Sequence, residues 1–191
     1  YCQLIGMNVL VNDPPRQRAE GNDGFVPLEE IQEKAEIITI HTPLTYEGAD
    51  KTFHLIDEKF IDSCNNDFFL INAARGEVTD THAVLTALKF GKIREAIIDC
   101  WEKEPEIDLE LLEHTFISTP HIAGYSRDGK ANGTSMSIRA ISKKFGLGID
   151  NWECSNVELP EKTLIEIDGT GKTDQEVIAE AILFTYPILE D

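Results

Sequence analysis

The 191-residue sequence contains few basic residues and no long apolar run. Its 17 Lys and Arg residues stand against 35 Asp and Glu residues, which gives a formal net charge of −18. Nucleic-acid binding depends mainly on Lys and Arg side chains that neutralise phosphates, so this balance disfavours a nucleic-acid partner. No apolar stretch reaches the ~18 residues that a membrane-spanning helix needs, and no signal-peptide pattern opens the sequence. We therefore expect neither a nucleic acid nor a membrane as a partner.

Cysteine is also scarce and scattered. Cys2, Cys64, Cys100 and Cys154 follow no CxxC or zinc-type spacing, and the histidines show no HExxH-like pattern. This usage favours reduced thiols in a cytoplasmic protein and predicts no metal site. What the sequence does contain, 41% apolar and 27% charged residues, is ordinary for a globular protein with a buried core.

Short apolar runs alternate with helical segments along most of the chain. Candidate strands lie at residues 7–11, 37–40, 68–71, 96–98 and 116–118. Candidate helices lie at residues 27–35, at 57–64, from a cap at Thr79 or Asp80 to Phe90, and from a cap at Ser126 to Phe145. Strands that are apolar throughout and separated by helices are typical of a parallel sheet covered on both faces. The sequence therefore predicts an α/β protein with a doubly wound parallel sheet.

The acidic residues are not spread evenly. Residues 150–191 carry as much net negative charge as residues 1–149, in a far shorter stretch. Such a shift predicts a domain boundary near Asp150, although an acidic surface can also simply keep a protein soluble. A candidate strand at 163–167 and a candidate helix at 174–184 follow, and these are too little to fold alone. We expect two domains, 1–149 and 150–191, with the second one truncated.

Polar residues cluster where the candidate strands end. Those ends carry Asp13 and Asp99 and the segments 41–43, 72–76 and 119–121. In open α/β sheets, ligands bind at the carboxyl ends of the strands. There Asp13 can accept hydrogen bonds from both hydroxyls of an adenosine ribose and repel the extra phosphate of NADP. The alternative is that Asp13 merely opens the turn at the following prolines.

Three further side chains suit acid–base chemistry on a carboxylic acid. The guanidinium of Arg75 can hold a carboxylate through two parallel hydrogen bonds, or it forms a surface salt bridge. His121 lies in an apolar setting, and the unperturbed pKa of a histidine, about 6.5, suits proton transfer at neutral pH. A structural core histidine is the alternative for His121. If Glu104 reaches that ring, it fixes the tautomer and favours a catalytic role.

Three stretches, 71–76, 99–105 and 119–124, together resemble the D-isomer-specific 2-hydroxyacid dehydrogenases. They read INAARG, DCWEKEP and TPHIAG, and the likeness covers nearly all of residues 1–145. It implies that Arg75 binds the substrate carboxylate and that His121 exchanges the hydroxyl proton, with Glu104 as its partner. It also implies that NAD is the cofactor. The implied NAD site contains Asp13, Thr42, Ala73, Ala74, Arg75, Asp99 and Gly124.

Two of these matched residues have more specific implied roles. Asp99 is expected to meet the nicotinamide carboxamide, and Tyr125 is expected to reach the phosphate end of a substrate. The segments 12–16, 41–44 and 121–125 point, within the family, to a member that acts on a small phosphorylated hydroxy acid. The alternatives are another D-2-hydroxyacid dehydrogenase, such as one acting on D-3-phosphoglycerate, or a non-catalytic module that senses NAD(H). The presence of Arg75, Glu104 and His121 together favours the enzyme, because a sensor needs no acid–base pair.

The resemblance also implies parts that this sequence does not show. The family's glycine-rich GxGxxG turn, which holds the pyrophosphate at a helix N-terminus, belongs just before Tyr1 together with the first strand. Residues 1–5 read as the end of a helix that Gly6 closes, which suggests sequence upstream. We therefore expect a partial, Rossmann-like NAD-binding domain over 1–149, inactive alone. The start of a C-terminal α+β dimerisation domain follows over 150–191, which implies a homodimer when the protein is full length.

Overall fold

Four parallel strands form the sheet, and the computed structural model places them in the order of the sequence. They are β1 (Ile37–Ile40), β2 (Phe68–Asn72), β3 (Ile93–Ile98) and β4 (Ile117–Ser118). Ile38 pairs with Leu70, and Leu70 pairs with Ala96. Each of these strands overlaps an apolar run expected from the sequence, so the α/β class with a parallel sheet is confirmed.

The structure describes residues 1–21, 23–155, 157–158 and 162–190, which form two compact units, 1–123 and 124–191. The helices of the first unit are α1 (Pro14–Glu20), α2 (Leu28–Lys34), α3 (Glu58–Ser63), α4 (Thr81–Phe90) and α5 (Leu109–His114). Those of the second unit are α6 (Arg127–Phe145) and α7 (Asp174–Thr185). The sequence predicts a nucleotide-binding domain over 1–149 and a dimerisation domain from 150 onward. That division stays a prediction, because compact units alone do not show which part binds NAD or a second subunit.

Helix boundaries in the first unit follow the side chains that cap them. Asp57, Asp80 and Asp108 each accept a hydrogen bond from a backbone N–H in the first turn of α3, α4 and α5. Of the two caps proposed for α4, Asp80 is therefore the one used. Gly91 ends that helix in the left-handed region, with φ of 76°.

The core lies on one face of the sheet. Ile38, Leu70 and Ala96 are buried there, and α3, α4 and α5 each connect consecutive strands. On the other face, Ile37 and Phe69 are 46% and 37% exposed. The face that carries Ile37 and Phe69 is therefore the less covered of the two. Right-handed crossovers between strands in consecutive order place every connecting helix on the same side, and covering the second face requires a reversal of strand order.

Two predicted strands are absent from the described residues. At 7–11 a backbone hydrogen bond joins Val26 N–H to the Val11 carbonyl, but no ladder forms. The segment 163–167 also remains irregular. An apolar run or an alternating pattern shows that a segment can pair, but a strand forms only where a partner lies beside it. These two predictions were wrong for that reason.

The regular secondary structure described in the second unit consists of α6 and α7. Ser126 caps α6 by accepting a hydrogen bond from Gly129 N–H at 2.9 Å, as the sequence predicts. Thr173 and Glu176 form a reciprocal capping box at the start of α7. No helix among the described residues combines the length and the apolar character needed to cross a membrane.

Candidate functional site

The carboxyl ends of β2, β3 and β4 lead into three segments that contact one another: 72–76, 99–105 and 119–123. Backbone hydrogen bonds join their starts, from Asp99 N–H to the Asn72 carbonyl at 2.9 Å and from His121 N–H to the Asp99 carbonyl at 2.8 Å. The parallel sheet therefore brings together residues that are about fifty positions apart in the sequence.

Asn72 shapes the turn that carries Arg75. Its side chain is fully buried; Nδ2 donates to the Arg75 carbonyl at 3.0 Å, and Oδ1 accepts from Ala74 N–H at 3.2 Å. Sequence reasoning gave Asn72 no role of its own. The available signal was a polar residue that ends a strand of otherwise apolar residues, because a buried amide must find partners.

The Arg75 guanidinium lies at the exposed end of this turn. Nη1 donates to the Ala74 carbonyl at 2.6 Å, and no carboxylate pairs with Arg75 among the described residues. The surface salt bridge considered as the alternative is therefore absent from that part of the chain. The guanidinium keeps donors with which to bind an external carboxylate.

Gly76 lets the Arg75 turn approach the 101–105 loop. A Cβ atom on Gly76 would lie 2.0 Å from the carbonyl carbon and oxygen of Trp101 and 2.4 Å from the backbone nitrogen of Glu102. These are backbone atoms, which cannot rotate away as a flexible side chain can. Only glycine fits at this position, and its requirement was not foreseen from the sequence.

His121 and Glu104 form a hydrogen-bonded pair. Nδ1 of His121 lies 2.9 Å from Oε2 of Glu104, while the other carboxylate oxygen, Oε1, accepts from Trp101 N–H at 2.7 Å. No hydrogen bond involves Nε2 of His121 in the described ranges, so that nitrogen is left to exchange a proton. A cavity of about 400 Å³ is lined by both members of the pair and by apolar side chains that include Trp101 and Leu112.

Asp99 holds the segment that carries His121. One carboxylate oxygen accepts from the Thr119 hydroxyl and from Ile122 N–H, both at 2.6 Å, and the other accepts from Ala123 N–H at 3.1 Å. Burial alone raises the pKa of Asp99, but these hydrogen bonds outweigh it and hold the pKa below the ordinary value. Its expected contact with the nicotinamide carboxamide stays a prediction.

Burial and nearby charged groups shift the pKa of the Cys100 thiol. Burial, followed by the carboxylates of Asp99 and Glu104, raises its pKa to about 12, while the Arg75 guanidinium acts in the opposite direction. Cys100 is therefore no nucleophile at neutral pH. Arg75 and Glu104 both lie near enough to act on this one sulfur.

The remaining predicted residues lie outside these three segments. Asp13 caps α1 by accepting from Arg16 N–H at 3.1 Å, which is the structural alternative named above; a ribose contact stays a prediction. Oγ1 of Thr42 is buried and lacks a hydrogen-bond partner within the described residues.

Gly124 and Tyr125 belong to the second unit. There the Lys130 ammonium lies 3.4 Å from the Tyr125 ring centroid and lowers the pKa of the phenol.

A second histidine–carboxylate pair was missed by sequence reasoning. Nε2 of His54 lies 2.8 Å from Oε1 of Glu102, and Nδ1 lies 3.5 Å from Oδ2 of Asp80. Glu102 also accepts from Thr81 N–H at 3.2 Å. The two carboxylates lie on different ring nitrogens, and in the described part of the chain no cluster of His, Cys, Asp or Glu is arranged to hold a metal ion.

Comparison with known proteins gives consistent results. The family described as D-isomer specific 2-hydroxyacid dehydrogenase, NAD binding domain, matches residues 1–123. An erythronate-4-phosphate dehydrogenase of Bacteroides thetaiotaomicron is 48% identical over 190 residues, which is 100% of this chain and 52% of that protein. One of Porphyromonas gingivalis is 51% identical over 147 residues, 76% of this chain and 40% of that protein. The chain spans about half the length of the curated relatives it matches.

A solved structure is similar as well. The D-lactate dehydrogenase of Aquifex aeolicus, complexed with NAD and lactic acid, aligns with a TM-score of 0.60 and 27% sequence identity. The alignment covers 81% of this chain and 52% of that one.

Proposed function

We propose that this chain, which belongs to the D-isomer-specific 2-hydroxyacid dehydrogenases and carries their NAD-binding domain, serves the NAD-dependent oxidation of 4-phospho-D-erythronate. The product is the 2-oxo-3-hydroxy-4-phosphate acid, in a pathway that leads to pyridoxal 5′-phosphate. The shared name of the relatives supports this substrate. The hydrogen-bonded His121–Glu104 pair is the observation that carries the assignment to an enzyme.

The pair suits removal of a hydroxyl proton. Glu104 accepts at Nδ1 of His121, which fixes the tautomer and leaves Nε2 as the base. When the 2-hydroxyl is oxidised, Nε2 takes its proton, and the resulting imidazolium is stabilised by the carboxylate behind it. Glu104 itself is held by Trp101 N–H, so the ring is oriented before substrate arrives.

Arg75 supplies the charge that the substrate requires. Its guanidinium, with no carboxylate partner among the described residues, can bind the substrate carboxylate through two parallel hydrogen bonds. That contact turns the 2-position toward Nε2 of His121 and polarises its oxygen. Bound NAD supplies the hydride acceptor, which no side chain provides.

The residues assigned to the cofactor fit a nicotinamide nucleotide. Oγ1 of Thr42 is buried and has no hydrogen-bond partner in the described part of the chain, so a polar ligand would satisfy it. The Asp99 carboxylate accepts hydrogen bonds from the Thr119 hydroxyl, Ile122 N–H and Ala123 N–H, and a longer one from the Cys100 thiol at 3.7 Å. A carboxamide N–H would take the place of that weak thiol donor. The family resemblance also assigns Asp13, Ala73, Ala74 and Gly124 to NAD, and Tyr125 to the phosphate end of the substrate.

A substrate panel tests the proposal. The intact protein is assayed for NADH formation with 4-phospho-D-erythronate, D-3-phosphoglycerate and D-lactate. We expect the highest kcat/KM with the first, and His121→Gln to lose a factor of about 10²–10⁴ in kcat while NAD still binds. Preference for D-3-phosphoglycerate would overturn the substrate, and NAD binding without turnover of any hydroxy acid would favour a sensor.

We also propose a cytoplasmic homodimer whose dimerisation domain begins near Asp150, after a nucleotide-binding domain over 1–149. Exposed apolar side chains on and after α7, among them Ile182, Phe184 and Leu189, support a protein contact there. The four free cysteines favour a reducing compartment. Light scattering of the intact protein distinguishes a dimer from a monomer.

A further inference from the structure

We propose that Trp101 is a positioning residue for the His121–Glu104 pair, a role that rests on the proposed function. This single residue contacts Glu104 directly and also contacts the segment that carries His121. Its backbone N–H donates to Oε1 of Glu104 at 2.7 Å, and its indole Nε1–H donates to the Thr119 carbonyl at 2.9 Å. Trp101 thus links the loop that carries the carboxylate to the segment that carries the imidazole.

The indole is itself firmly placed. Trp101 is 5% exposed and belongs to the core cluster that includes Leu111 and Ile98. The backbone carbonyl of Trp101 packs directly against Gly76, with no room between them for a Cβ atom. Core packing and the hydrogen bond of its N–H both restrain the indole, so it can fix the distance between the two segments it joins.

The backbone near His121 needs such support. His121 has a φ of 58°, in the left-handed region that few non-glycine residues adopt. The indole bond is made to the carbonyl two residues earlier, and the Asp99 carbonyl accepts from His121 N–H at 2.8 Å. Without the indole donor, Thr119 has lost one of the contacts that set the direction in which the imidazole points.

Trp101→Phe separates this role from simple core packing. Phenylalanine keeps a buried ring and the backbone bond to Glu104 but removes the indole donor. The matched control is Trp152→Phe, at the other tryptophan of the chain. In the intact protein we expect Trp101→Phe to lower kcat roughly 10- to 100-fold with the KM for NAD unchanged, and Trp152→Phe to change neither.

A double-mutant cycle with His121→Gln is the decisive comparison. If Trp101 acts through the imidazole, Trp101→Phe has no further effect on the residual turnover of His121→Gln. An equal loss of kcat in both backgrounds, or wild-type kcat in Trp101→Phe, would overturn the proposal. Should Trp101→Phe fail to fold, benzothienylalanine at position 101 of the Trp152→Phe protein removes the same N–H from a ring of the same size.

A readout without turnover keeps this proposal separate from the proposed function. Imidazole nitrogen NMR shifts of His121 report its bond to Glu104. We expect Trp101→Phe to move those shifts toward their values in Glu104→Gln, whereas Trp152→Phe leaves them in place. Unmoved His121 signals in Trp101→Phe contradict the positioning role. An inactive wild-type protein whose signals do move contradicts only the proposed function.

Discussion

Glu102 and Glu104 stand two residues apart in one loop, and each carboxylate binds a different histidine. Glu102 binds Nε2 of His54 at 2.8 Å, and Glu104 binds Nδ1 of His121 at 2.9 Å. The Glu102 side chain is 15% exposed and the Glu104 side chain 35% exposed. The first pair anchors the loop to the rest of the fold, and the second presents an imidazole to solvent.

This division predicts opposite effects for two matched substitutions. Glu102→Gln weakens the bonds to His54 and Thr81 N–H, so we expect the free energy of unfolding to fall by about 1–3 kcal/mol. Glu104→Gln leaves that anchor intact but misdirects His121, so we expect kcat to fall by about two to four orders of magnitude with little loss of stability. Chemical denaturation and NADH formation in the intact protein measure the two effects. A stable Glu102→Gln protein with low kcat would show that the roles are reversed.

Gly76→Ala tests the close approach of the Arg75 turn to the 101–105 loop. The added methyl group would lie 2.0 Å from the Trp101 carbonyl. We therefore expect the free energy of unfolding to fall by about 1–3 kcal/mol or more, the usual cost of overpacking. The control is Gly133→Ala inside α6, where a Cβ meets no atom within 4 Å. There alanine restricts the unfolded chain and favours the helix, so we expect the free energy of unfolding to rise by about 0.5–1 kcal/mol. Equal melting temperatures for the two variants would contradict the packing described for Gly76.

Local patterns in the sequence were sufficient to predict the sheet. The apolar runs within β1, β2 and β3 fill a buried face, and aspartates cap the helices between them. Placing polar residues at strand ends then located Arg75 and His121, because parallel strands present those ends on one edge. A turn at Pro14 and Pro15 is what the sequence suggests, and helix α1 is therefore not predicted, although proline also suits a first helical turn.

Long-range contacts account for what the sequence could not provide. Glu102 and His54 are 48 residues apart, and no periodicity connects them. The same holds for the indole of Trp101, which bonds to a carbonyl 18 residues away. The need for glycine at position 76 arises from another loop's backbone and not from a turn of its own. Such pairings depend on how the strands align, which is set only when the whole sheet forms.

The cysteines should divide into two classes by reactivity. Cys2 and Cys154 are exposed, whereas Cys64 and Cys100 are buried. Burial raises the pKa of both buried thiols, that of Cys100 to about 12, so the reactive thiolate is scarce. We expect iodoacetamide at pH 7.5 to label two sites quickly in the native protein and all four after denaturation, as counted by mass spectrometry. Rapid native labelling at Cys100 would contradict its placement.

Asp99 should make a measurable contribution to the pH dependence of stability. Its pKa in the folded protein lies below the ordinary value of 3.8, since hydrogen bonds from Thr119, Ile122 and Ala123 favour the carboxylate over the opposing effect of burial. A group with a depressed folded pKa stabilises the protein fully above its unfolded pKa. That contribution is lost as the pH falls from about 4 toward and through the folded pKa.

Asp99→Asn isolates this contribution from that of the other carboxylates. An amide has a similar shape but only one acceptor oxygen, so one of its ends faces N–H donors unfavourably. We expect the variant to be less stable than the wild type by about 1–3 kcal/mol at pH 7, and the difference to shrink between pH 4 and pH 2. Urea denaturation of both proteins across this range measures it, with Asp13→Asn at an exposed helix cap as the control. A difference that stays constant down to pH 2 would mean that Asp99 titrates in the folded state as it does in the unfolded chain.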